Sequence, residues 1–191
     1  IVDMSRAFLD TNGVRQHQIV DVCENEYDEH PFDAVNSDLN TVLQDANVAS
    51  QIGLAEMFDA SIGKSTVLMP FGGKYQLTPE EGSVQKLPVH GMTNTCSVMT
   101  YGYDPKVSKY SPYLGASYSV VEALARITAL GADYKKCRLS NQEYFERLGA
   151  DAQKWGQPFE ALLGLIDAQL AFETPSIGGK DSMSGTYKDI H

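Results

Sequence analysis

The residues with the most chemistry to offer crowd into Ile177–Tyr187, where Gly178, Gly179, Lys180, Asp181, Ser182, Ser184 and Gly185 follow one another closely. The three glycines can take φ > 0 and let the main chain approach a ligand, so that successive N–H groups form an anion nest. Lys180 adds a point charge, Ser182 and Ser184 add hydroxyls that both donate and accept, and Asp181 can hold Mg²⁺ or pair with Lys180. That is the inventory of a phosphate or nucleotide site. A glycine-rich surface turn has the same composition, with Lys180 and Asp181 paired in water for about 0–1 kcal/mol, and the residues alone leave both readings open.

The other titratable groups form weaker patterns. His17, His30, His90 and His191 are scattered and make no Ser/His/Asp or Cys/His set. Gly63-Lys64-Ser65 looks like the tail of a G-x-x-x-x-G-K-[ST] phosphate loop, but Phe58 holds the place of the first glycine and a strand rather than a helix should follow. The three cysteines, Cys23, Cys96 and Cys137, lack metal-ligand spacing. They read as reduced thiols of a cytoplasmic protein, with Cys96 and Cys137 buried in apolar runs. None has the sharp strand-to-helix context of a catalytic nucleophile.

Composition sets the bounds. A chain of 191 residues, 42% apolar and 21% charged, has the balance of an ordinary globular protein with one good core. The net charge of −10 argues against a nucleic-acid partner, because binding to phosphate backbones needs clustered Lys and Arg. No apolar run approaches the roughly 20 residues of a membrane span, and no signal peptide is visible. The chain starts at Ile1 in the middle of an amphipathic pattern, which suggests a piece of a longer polypeptide.

The elements that must position the glycine-rich stretch follow from periodicity and punctuation. Residues 3–11 predict a helix end stopped by Asn12-Gly13, residues 16–22 a short strand, and the acidic, Pro31-containing residues 24–38 a linker. Residues 40–58 predict a helix interrupted near Gly53, and residues 66–71, 83–89 and 95–102 predict strands. A helix over 112–130 carries Ala116, Val120, Val121, Leu124 and Ile127 on one stripe and stops at Gly131; a strand over 134–139 follows. A second helix over 158–173 opens at Pro158 and repeats Leu162, Leu163, Ile166 and Leu170 at helical spacing. It feeds a strand over 175–177 that exits into the glycine-rich stretch as a loop. The pattern predicts an α+β fold, a mixed sheet with both long helices on one face.

Several separated motifs, in order, resemble phosphoribosylformylglycinamidine synthase. They are Gly53-Leu54-Ala55-Glu56-Met57-Phe58-Asp59, Leu68-Met69-Pro70-Phe71-Gly72-Gly73, Tyr118–Arg126, Cys137-Arg138-Leu139-Ser140-Asn141-Gln142-Glu143-Tyr144-Phe145 and Gly178–Ser184. The resemblance is to the long, single-chain bacterial form and covers the chain from about residue 37 onward. It implies the second N-terminal subdomain of an aminoimidazole-ribonucleotide-synthetase-like duplication. Its sheet would pair with a companion copy into a barrel. Residues 1–36 would be a linker and the tail of the preceding subdomain, 37–178 the subdomain itself, and 179–191 a ligand loop and the start of the next.

The implied activity is an ATP- and Mg²⁺-dependent conversion of formylglycinamide ribonucleotide to its amidine in purine biosynthesis, with glutamine as nitrogen donor through a glutaminase domain elsewhere in the chain. The isolated piece is expected to be inactive and to associate as a homodimer through its unpartnered sheet. A pairing module that binds no ligand is the alternative. By resemblance, Gly178 and Gly179 approach the nucleotide, while Lys180 and Ser182 meet the substrate phosphate. The family has a metal contact at the position of Lys180, but an ammonium cannot ligate Mg²⁺. An auxiliary nucleotide–metal site of the family falls on Asn94, Glu122 and Arg126. Glu122 keeps the family's carboxylate, whereas Asn94 stands for an Asp and Arg126 for an Asn, so an i,i+4 ion pair between Glu122 and Arg126 is the competing reading.

Overall fold

The computed structural model describes residues 2–10, 17–22, 38–46, 48–57, 61 and 64–188. In chain order the elements are α1 (Arg6–Asp10), α2 (Leu39–Gln44), α3 (Ile52–Glu56), β1 (Phe71–Gly72), β2 (Thr78–Pro79), β3 (Gly82–Lys86), β4 (Cys96–Thr100), α4 (Pro105–Tyr110), α5 (Pro112–Ala129), β5 (Leu139–Tyr144), α6 (Ala152–Phe172) and β6 (Ser176–Ser182). The α+β class holds. The single mixed sheet does not: the described strands form three two-stranded sheets, antiparallel β1–β2, antiparallel β3–β4 and parallel β5–β6.

α5 begins and ends where the sequence predicts. The Ser111 hydroxyl accepts from the Leu114 N–H at 3.2 Å, Pro112 opens the first turn, and Gly131 at φ +82° closes the helix. Val120, Leu124 and Ile127 are buried along one stripe, but Val121 is exposed. α6 starts six residues before Pro158, because the Asp151 carboxylate caps the Gln153 and Lys154 N–H groups; Pro158 lies inside the helix.

The packing of α6 overturns the stripe read from its sequence. Leu162, Leu163, Ile166 and Leu170 all face outward, and the helix buries Ala161, Gly164 and Ala168 instead. The reason is backbone proximity. A Cβ at Gly164 would collide with the Tyr113 carbonyl of α5, and the Ser117 hydroxyl donates to the Gly164 carbonyl at 3.0 Å. Small residues thus bring the helices together. Val120, Leu124 and Ala168 form the core, with Tyr134, Cys137, Leu139, Leu165 and Phe172 packed against them.

Other boundaries shift for local reasons. Residues 134–136 form a 3₁₀ turn capped by Asp133 rather than the start of a strand, and Tyr134 meets Phe172 edge-on at 6.2 Å. The described part of the predicted helix over 40–58 holds two short helices, one ending at Gln44 and the next starting at Ile52, with Gly53 inside α3. Thr66 makes one isolated bridge to Gln85, so the predicted strand over 66–71 is reduced to its end. Residues 17–22 are irregular and run beside α6, where Asp21 N–H donates to the Ala152 carbonyl at 2.9 Å. Asn12-Gly13, the linker over 24–37, Cys23, His30, His191 and Gly63 lie outside the described residues.

Candidate functional site

The glycine-rich stretch is a strand. Ser176–Ser182 pairs in parallel with β5, with Ser140 opposite Gly178, Asn141 opposite Gly179, Gln142 opposite Lys180, Glu143 opposite Asp181 and Tyr144 opposite Ser182. Neither Gly178, Gly179 nor Gly185 adopts positive φ, so the nest expected from the sequence is not formed. The first four residues of the predicted ligand loop, 179–182, are the end of this strand. β5 supplies the hydrogen-bonding partner that local composition cannot reveal.

Extended backbone sorts these residues by alternation. Leu139, Asn141 and Glu143 turn toward the core side of β5, and Ser140, Gln142 and Tyr144 are exposed. Residues paired in a parallel ladder share a face, so Gly178, Lys180 and Ser182 join the row of Ser140, Gln142 and Tyr144, Gly178 and Lys180 exposed and Ser182 half-buried, with Lys180 and Ser182 about 7 Å apart along the strand. The Ser182 hydroxyl lies 3.0 Å from that of Ser184, and space opens over Gly178. Among the described residues the Lys180 ammonium makes no ion pair. Gly179 looks the other way: a Cβ there would collide with the Asn141 carbonyl, which accounts for the glycine without a ligand.

The opposite face holds a residue that the sequence reading passed over. Glu143 sits beside Asp181 in the register, half-buried, with Oε1 lacking a hydrogen-bond partner. Burial first, and then the Asp181 charge, push its carboxyl up to about 7. It is therefore able to gain or lose a proton near neutrality. The signal available in the sequence was the alternation Leu139, Asn141, Glu143, which becomes legible only once residues 139–144 are known to be a strand. Asp181, on this face, is turned away from Lys180, so the suggested Lys180–Asp181 pair is absent.

The second candidate constellation is not assembled as the sequence suggested. Asn94 lies beyond Cys96, where β4 pairs with Lys86 at one end of the β3–β4 hairpin. Glu122 meets the chain just past Thr100 at the other end, accepting from Tyr103 N–H at 2.9 Å. The strand between them spans about 13 Å at about 3.3 Å per residue. Glu122 pairs instead with Arg126, Oε1 to Nη2 2.8 Å, as the i,i+4 reading has it. The described residues contain no cluster of three or more His, Cys, Asp or Glu side chains arranged to hold a metal.

The two described thiols are held in weak hydrogen bonds. Cys96 and Cys137 are half-buried and donate weakly to the carbonyls of Asn94 and Asp133 at 3.6 Å. Burial, with Asp133 nearby, pushes the Cys137 thiol up, away from thiolate. No described helix is long and apolar enough to cross a membrane.

No family model matches the chain. Among curated proteins it is similar to the phosphoribosylformylglycinamidine synthase subunit PurL of Pyrobaculum calidifontis, 28% identical over 162 residues, covering 83% of this chain and 21% of that protein. The same subunit of Pyrobaculum aerophilum is 25% identical over 158 residues, with 83% and 21% covered. That of Methanocaldococcus jannaschii is 27% identical over 153 residues, with 78% and 19% covered. Among solved structures, PurLQS from Thermotoga maritima superposes with a TM-score of 0.57 at 17% identity, over 73% of this chain and 21% of that one, a likeness of fold. The resemblance to phosphoribosylformylglycinamidine synthase is borne out, through relatives named as PurL subunits and not as the long, single-chain form. The chain spans about 21% of the length of the first of these relatives.

Proposed function

We propose that this chain is a subdomain of a phosphoribosylformylglycinamidine synthase and that the row Gly178, Lys180, Ser182 receives the phosphate of its substrate. The single observation behind this is the placement of an ammonium without an ion pair among the described residues and a hydroxyl two residues apart on one strand face, in a chain similar to three PurL subunits. A phosphate between them would accept from Lys180 Nζ and Ser182 Oγ, each charge-assisted bond contributing about 1.5–3 kcal/mol. Gly178 keeps the approach open, and the nucleotide is proposed to pass beside it and Gly179.

The reaction of the whole protein would be the cytoplasmic, ATP-dependent conversion of formylglycinamide ribonucleotide to the amidine, with nitrogen from glutamine. ATP would supply the phosphoryl group that activates the amide oxygen. Neither strand puts a carboxylate on the Lys180 face, so Mg²⁺ has no anionic ligand there, and its carboxylate ligands would come from the rest of the longer chain. Acting alone, the 191-residue chain would therefore make no amidine from ATP and ammonia. Turnover by it in that assay would refute this part of the reading. Calorimetric titration with ribose 5-phosphate tests the rest: heat lost on Ser182→Ala supports the phosphate row, and the absence of heat from the parent chain overturns it.

A second reading, a pairing module of a larger assembly, is favoured by the outward stripe Leu162, Leu163, Ile166 and Leu170 and by exposed Tyr144 and Ile177. Such faces would be covered by a companion subdomain, in the barrel that the family resemblance implies, or by a second copy of the isolated chain. A monomer by light scattering at high concentration would count against the homodimer.

A further inference from the structure

We infer that Arg126 is a built-in counter-ion at Glu122, so that the joint between α5 and the β3–β4 hairpin is held without the auxiliary nucleotide and Mg²⁺ that the family resemblance implies. The fit of a metal fails on the carboxylate itself. Glu122 Oε1 faces Arg126 Nη2 at 2.8 Å, and Oε2 accepts from Tyr103 N–H at 2.9 Å. Mg²⁺ demands near-octahedral oxygen ligands at about 2.0–2.1 Å, and here it would enter beside a fixed positive charge.

Arg126 is not free to leave. Its Nε and Nη2 donate to Glu81 Oε2 and Oε1 at 3.1 and 3.0 Å, a two-point fork, and Nη1 donates to the Tyr101 carbonyl at 2.6 Å. The guanidinium also stacks on the Tyr101 ring, 4.5 Å from its centre, and the side chain is only 16% exposed. One cation thus bridges two carboxylates and a carbonyl drawn from the entry to β3, the exit of β4 and the middle of α5. A bridging metal ion would join the same kinds of groups.

Besides Glu122, the surroundings offer one carboxylate, Asp104, too few for the oxygen shell of Mg²⁺. The groove beside Glu122 has a volume of about 270 Å³ and is lined by Asp104, Val107, Tyr118, Val121 and Glu122. Asp104 caps α4 through Oδ1 alone, accepting from Lys106 and Val107 N–H at 2.8 and 3.1 Å. The ammonium of Lys106 is paired with Asp45 at 2.8 Å, which leaves the wall acidic and poorly suited to nucleotide phosphates. Asn94 is at the far end of the hairpin.

The test is a series of thermal melts of the 191-residue chain in EDTA, in MgCl₂ and in MgCl₂ with ADP, against NaCl at matched ionic strength. The expected result is one Tm in all four, or a shift that Glu122→Gln leaves in place, as for a metal bound elsewhere. A saturable rise with MgCl₂ or Mg-ADP that Glu122→Gln abolishes overturns the inference, and this arm needs no Arg126 variant to fold. Arg126→Asn is expected to lower Tm in EDTA and to regain part of the loss in MgCl₂, because Glu81 and Glu122 are then uncovered together. An Arg126→Asn chain that melts with the parent in EDTA also overturns it. None of these outcomes depends on phosphate binding at Lys180.

Discussion

Two charged regions of this molecule differ in how completely their groups are satisfied. Around Arg126 the charged side chains have partners: Glu81, Glu122, the Tyr103 N–H and the Tyr101 carbonyl close the set. Along β5–β6 the opposite holds among the described residues, with Lys180 in no ion pair, Glu143 carrying an orphaned oxygen, and Asp181 beside it rather than beside a cation. A closed set is a structural joint, since binding anything there must first break hydrogen bonds already made. An open one keeps its donors and acceptors for a ligand or a neighbouring subdomain.

The comparison is tested most severely by asking whether the satisfied half carries the stability. Leu124→Ala, in the core shared by α5 and α6, is expected to cost about 3 kcal/mol in chemical denaturation. A loss below about 1 kcal/mol would mean that the helical pair is not the stabilising centre. Lys180→Ala is the matching change on the open side. It should weaken ribose 5-phosphate binding by roughly ten- to a hundredfold, about 1.5–3 kcal/mol, while leaving the melting temperature in place. A drop in Tm equal to that of a core variant would reassign Lys180 to the structural half.

Glu143 sharpens the contrast through pH. Its carboxyl lies at about 7 in the folded chain against an ordinary 4.5, so the folded state holds the proton more tightly. The associated stability is fully present below about 4.5 and is lost as pH rises through about 7. Glu143→Gln should flatten that slope and stabilise the chain at pH 8 by on the order of 1 kcal/mol, after allowance for solvent screening of a half-exposed group. Melts showing the same slope in parent and variant would remove Glu143 from the open set. The smallest effect is expected at Glu173, which ends α6 at φ +56°. Glu173→Gly should raise stability by about 1 kcal/mol by relieving the left-handed backbone, and a loss instead would point to an unrecognised role for its side chain.

How much could be read beforehand varied with how local the cause was. α5 was legible because Ser111, Pro112 and Gly131 are start and stop signals that act within a turn of themselves. For α6, Pro158 is a strong start signal, yet Asp151 reached the backbone first. The stripe Leu162, Leu163, Ile166 and Leu170 was periodic, but Gly164 set the approach of α5 and turned that stripe outward. Periodicity records that one face is apolar and says nothing of which neighbour lies closest.

The sequence by itself determined the chemical inventory and the family resemblance: Gly178, Lys180 and Ser182, the Glu122–Arg126 spacing, and an ordered series of motifs. These depend on residue identity and short spacing, which the chain carries whatever its fold. Tertiary structure alone decided that the glycine-rich stretch is a strand rather than a nest, that Lys180 and Asp181 face opposite ways, and that Arg126 reaches Glu81 and Tyr101. Each of those follows from a partner distant in sequence. Strand pairing and ion-pair geometry are properties of two segments meeting, and neither segment encodes the meeting alone.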